Sequence, residues 1–65
     1  MRIDYEKLQV ILAQKEMPVG KFCDKAKISR NSLSKIKNGS KSRVETVGKV
    51  ARVLEVNIEE ITKKE

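Results

Sequence analysis

Histidine and tryptophan are absent from the sequence, and cysteine, proline, tyrosine and phenylalanine occur once each. Each scarcity closes off a class of chemistry. A zinc site normally takes four Cys or His ligands, and Cys23 stands alone. It can form no internal disulfide. Without a histidine nothing is present to activate it as a nucleophile, so it reads as a small buried hydrophobe. No basin of paired carboxylates exists; Glu59-Glu60 lies near a chain end. The chain is therefore not read as an enzyme, and no cofactor or small-molecule ligand is expected. No apolar run approaches the roughly 20 residues that span a bilayer. The opening MRIDYEKLQV carries acidic residues where a signal peptide has its apolar stretch. No membrane partner is expected, and the expected location is cytoplasmic.

What is present is basic charge, unevenly placed. The formal net charge is +6 over 65 residues. Residues 1–17 are neutral overall and residues 44–65 carry −1. Residues 18–43 carry +7: Lys21, Lys25, Lys27, Arg30, Lys35, Lys37, Lys41 and Arg43 stand against Asp24 alone. One stretch holds the whole imbalance, which favours a polyanionic partner. A chain this short buries only about 60% of its unfolded surface, so 1–65 is read as one domain with a small core.

Apolar spacing gives an all-α chain of five short helices. The first runs from about Asp4 to Lys15, with Asp4 as cap, Ile3 and Leu8 as a hydrophobic staple, and Tyr5, Leu8, Ile11 and Leu12 on its apolar side. The second runs from Pro18 to about Lys25, with Val19, Phe22, Cys23 and Ala26 as its stripe. After the turn Ala26-Lys27-Ile28, Ser29 caps a third helix from Arg30 to about Asn38. Its inward residues are Leu33 and Ile36; its remaining circumference is polar. Asn38-Gly39 ends it. Ser42-x-x-Glu45 reads as a capping box opening a fourth helix, whose face is Val44, Val47, Val50, Ala51 and Leu54. Gly48 inside it would admit a close neighbour. Asn57-x-x-Glu60 is a second box, opening a short helix from Ile58 to Lys63, and Thr62–Glu65 is expected to fray. Strands are a poor alternative, because alternation is weak.

A helix, a three-residue turn and a second helix make a helix-turn-helix, whose second helix fits the major groove. With Phe22-Cys23-Asp24-Lys25-Ala26-Lys27-Ile28-Ser29, then Leu33-Ser34-Lys35-Ile36-Lys37-Asn38-Gly39, then Thr46 to Val56, the chain resembles the lambda-repressor-like family of Cro and phage-repressor type, from about residue 5 to 61. The resemblance implies a compact five-helix DNA-binding domain. It places base contacts on Arg30, Asn31 and Lys35. Arg or Lys suits guanine O6 and N7, and Asn suits adenine N6 and N7. It places DNA-backbone contacts on Ser32, Ser34, Asn38, Gly39, Ser40, Lys41, Ser42 and Arg43. Lys21, Lys25 and Lys27 either join them or face solvent. Against the family pattern, Val19 replaces a phosphate-clamping glutamine and Pro18 its polar cap. Lys27 replaces a turn glycine and so needs a left-handed backbone; Glu55 replaces another helix-ending glycine. Leu12 and Lys37 replace an arginine–glutamate pair, leaving Lys37 free and positive.

The reading is a small sequence-specific regulator of repressor type on double-stranded DNA, working as a homodimer on a pseudo-palindromic operator. Val56, Ile58 and Ile61 either form the dimer surface or close the core. The alternative is a protein-interaction module on the same fold, antitoxin-like or coactivator-like, and the missing glutamine is its best support. A non-specific nucleic-acid binder is a third reading.

Overall fold

The structure, a computed structural model, describes residues 1–63. Four α-helices follow one another: α1 Tyr5–Gln14, α2 Val19–Ala26, α3 Arg30–Lys37 and α4 Val44–Leu54. The fifth element is a single 3-10 turn, Ile58–Glu60, rather than a helix reaching Lys63. None of these helices is long and apolar enough to cross a membrane.

Local chemistry sets the helix starts. The Asp4 carboxylate accepts from the N–H groups of Glu6 (3.0 Å) and Lys7 (3.3 Å). Ile3 and Leu8, its staple, are buried. Asn57 and Glu60 form the expected capping box, with the Asn57 N–H donating to the Glu60 carboxylate at 2.7 Å. One core joins all the elements: Phe22, Leu8, Ile36, Leu54, Ile61, Val47, Val50 and Ile3 are its fully buried members. Each such side chain contributes about 1.5–3 kcal/mol by leaving water. Ile61 therefore closes the core, and Val56 and Ile58 pack half-buried against it.

All four α-helices end in the same way. Each is followed within two residues by a left-handed one: Glu16 (φ 52°), Lys27 (φ 55°), Gly39 (φ 81°) and Glu55 (φ 57°). In each, that residue and the next donate back to carbonyls in the last turn, as Gly39 does to Ile36 and Ser40 to Lys35 (both 3.0 Å). These are Schellman motifs. Only α3 fills the left-handed position with glycine. The other three carry a Cβ there, at a cost of about 1–2 kcal/mol each.

Several sequence expectations are corrected. Ser42 does not cap α4. The helix starts at Val44 with Arg43 at the cap position and no side-chain cap bond. The reason is non-local: the Ser42 N–H donates to the Met1 carbonyl at 2.6 Å, and Lys41 bridges Arg2. Residues 41–42 are thereby held extended. Met1–Asp4 runs antiparallel to that loop on one side and to the segment after the 3-10 turn on the other, where Ile3 bridges Thr62. Asp4 donates to Ile61 (2.7 Å) and Lys63 to Arg2 (3.0 Å). Extended pairing, discounted from the sequence, thus ties three segments together. It also holds Thr62 and Lys63, which were expected to fray; Lys64 and Glu65 lie outside the described residues.

Val44 is 67% exposed and Val19 is 40% exposed, so neither belongs to its helix's buried stripe. Both open their helices, and Cα–Cβ bonds tilt toward a helix's N-terminus. A first-turn side chain therefore leans past the end of the packed layer. Gly48 admits no close neighbour, since a Cβ there would meet nothing within 4 Å.

Candidate nucleic-acid interface

The interface is built around α3. Ser29 caps it, its hydroxyl accepting from the Ser32 N–H (3.1 Å) and donating to the Ser32 hydroxyl (3.1 Å). Ile36 is buried and Leu33 half-buried, and together they fix the inward direction. At about 100° per residue, the crest opposite them passes through Asn31 and Asn38. Ser34 stands on one shoulder of that crest and Lys35 on the other. Arg30, Asn31, Ser34, Lys35 and Lys37 are all exposed.

The two flanks differ in their neighbours. On one side Ser32, Lys35 and Ile36 face Lys41, Ser42, Arg43 and Thr46 across an open cleft. Five of the eleven sequence-predicted residues meet here. Ser42 has already committed its N–H to Met1, so its hydroxyl is what it can offer. Thr46, the third residue of α4, carried no site role in the sequence; it marked only the start of a segment of the family resemblance. On the other side Arg30, Leu33, Ser34 and Lys37 border a groove against Tyr5, Val19, Gly20 and Cys23. Arg30 and Ser34 thus border one hollow and Lys35 the other, on opposite sides of the crest. Cys23 is free and buried in its wall, as a small hydrophobe would be. Lys37 also borders a recess holding Asp4 and Glu6. Lys63 lines the same recess, so the Lys37 ammonium has charges of both signs around it.

Asn38, Gly39 and Ser40 lie in neither hollow and form the end of α3 itself. Gly39 takes the left-handed conformation expected of it. So does Lys27, between α2 and α3.

Each flank also borders a helix N-terminus. Neither α2, with Pro18 at its cap position, nor α4, with Arg43 there, has a side-chain cap bond. First-turn N–H groups lack partners within their own helix and carry partial positive charge. Around α3 the structure therefore gathers exposed lysines and arginines, an outward amide-bearing crest, and two uncapped helix starts. Such groups suit phosphate oxygens and base edges.

A family model described as the Cro/C1-type HTH DNA-binding domain matches residues 7–64. The chain belongs to that family. No curated protein and no solved structure matches the chain. As a Cro/C1-type domain, it is an all-α DNA-binding module with a helix-turn-helix, formed here by α2, the turn at Lys27 and α3. DNA is its partner, and it is not an enzyme. Among the described residues no group of three or more His, Cys, Asp or Glu could hold a metal ion.

Proposed function

We propose that this Cro/C1-type domain is a sequence-specific transcriptional regulator of repressor type, with a lambda-repressor-like arrangement, that reads the major groove with α3. Arg30, Asn31 and Lys35 meet base edges. Ser32, Ser34, Asn38, Gly39, Ser40, Lys41, Ser42 and Arg43 meet the backbone. The reading is supported above all by the outward face of α3, which stays exposed along its length while cations and uncapped helix starts border both sides. A domain of this size covers little DNA, so two copies on a pseudo-palindromic cytoplasmic operator fit it best. One domain spanning 1–65 suffices for each half-site.

The test is selection of duplexes from a random pool by wild type, Arg30→Ala and Lys41→Ala. Wild type enriches a motif containing guanine and adenine. Arg30→Ala relaxes preference at one position, at about 1–3 kcal/mol of discrimination. Lys41→Ala weakens all sequences alike. Absence of an enriched motif at physiological salt sinks the reading.

One observation favours a second reading, a protein-interaction module. Val19 is exposed where a phosphate clamp would sit, beside Tyr5, Cys23 and Leu33. That reading predicts that Arg30, Asn31 and Lys35 can be replaced without loss of binding to the chain's partner.

A further inference from the structure

In the sequence Arg2 belongs to the charge-neutral N-terminal stretch, far from the basic stretch at 18–43. The fold moves it. Arg2 and Lys41 face each other in an antiparallel bridge. The nearest bond, from the Ser42 N–H to the Met1 carbonyl, flanks the pair instead of joining it. That makes Arg2 and Lys41 a non-hydrogen-bonded pair, the kind whose side chains stand closest, on one face of the ladder. The face is fixed independently. Ile3, the next residue, turns into the core at 1% exposure, and successive side chains of an extended segment point to opposite sides. Arg2 therefore points outward, and both it and Lys41 are exposed.

Two like charges directly opposite each other destabilise a bridge in the free protein. They become favourable when a polyanion lies across them. Lys41 borders the cleft that holds Lys35 and Arg43. We infer that Arg2 is a DNA-phosphate contact, extending the backbone-binding layer from Lys41 along the same strand of the duplex. The inference rests on the reading of this cleft as the DNA-backbone surface. Its partner chemistry is a phosphodiester, and it carries no base preference.

The test measures affinity of the full chain for the wild-type-selected duplex between 50 and 200 mM salt, for wild type, Arg2→Ala, Arg2→Lys and Lys41→Ala. Loss of one phosphate contact lowers the slope of log affinity against log salt by about 0.9. The advantage of wild type over Arg2→Ala should therefore shrink about threefold across that range. Arg2→Lys should restore the slope, because a phosphate contact needs charge and not a planar fork. Free Arg2→Ala should melt no lower than wild type, since its backbone bonds remain and a repulsion is gone. If Lys41→Ala lowers the slope and Arg2→Ala leaves it unchanged, Arg2 is not a contact. If Arg2→Lys fails to restore it, the effect is structural and the assignment is equally overturned. If wild type binds no duplex, the regulator reading fails and takes this assignment with it.

Discussion

The two flanks of α3 border one helix yet are built from different materials. The cleft toward the α3–α4 loop is polar and cationic, with Lys35, Lys41 and Arg43 around Ser32, Ser42 and Thr46. The groove toward α2 has an apolar floor, and only Arg30 and Lys37 charge its rim. In the cleft, positioning comes from side chains on a loop that is itself held by the N-terminal segment. In the groove, Val19 and Gly20 offer only the backbone N–H groups at the start of α2, so α2 adds no polar side chain to Arg30, Ser34 and Lys37. If α3 reads DNA as proposed, its anchors are unequal: the cleft offers three cationic side chains and the groove two.

The sharpest way to break the comparison is to release the helix from both flanks at once. Ile36 is 2% exposed and pins α3 between them. Ile36→Ala should cost about 2–5 kcal/mol of stability, read by denaturant titration. Leu33→Ala, at a half-buried site, should cost less. A loss under about 1 kcal/mol for Ile36→Ala would mean that α3 is held by something other than its apolar edge.

A milder change would equalise the flanks. Val19→Gln places an amide at the start of α2, where the resemblance expects a phosphate clamp. Affinity for all duplexes should rise about tenfold, on the scale of one hydrogen bond to a charged group. Fluorescence anisotropy with a labelled duplex reads this directly. An unchanged affinity would place the groove off the DNA.

The smallest effect concerns the turn that joins α2 to α3. Lys27 is left-handed at φ 55°. Lys27→Gly removes the Cβ strain but adds freedom to the unfolded chain, so a net stabilisation of about 0.5–1 kcal/mol is expected from thermal melting. Gly48→Ala should stabilise by a similar or smaller amount, because a Cβ there meets open space.

These differences also mark what could be read in advance. Caps at Asp4 and Ser29, the box at Asn57 and Glu60, and the inward pair Leu33 and Ile36 are local signals, carried by residues two or three apart. They were legible. The left-handed strain at Lys27 was legible too, because a missing glycine leaves a gap in a known spacing. Glu16, left-handed at φ 52°, gave no such sign. The pairing of Met1–Asp4 with residues 41–42 and 61–63 was hidden for another reason. It is made by backbone groups, which every residue carries, across long sequence separations. The same pairing overrode the apparent box at Ser42. Arg2 and Thr46 went unnoticed because neighbourhood in space, and not in sequence, brings them to the cleft.

That pairing has a consequence for when the domain can act during its own synthesis. Ile3 completes its bridge only with Thr62, and Arg2 accepts from Lys63. The segment that steadies the loop at Lys41 and Ser42 is thus itself steadied by residues translated some sixty positions later. Helices α1 to α4 can begin to form as they leave the ribosome. The loop beside α3 reaches its final shape only after residues 61–63 have emerged and docked, since long-range contacts wait on loop closure. A nascent chain whose residues 61–63 have not yet emerged would carry α3 without the finished loop beside it.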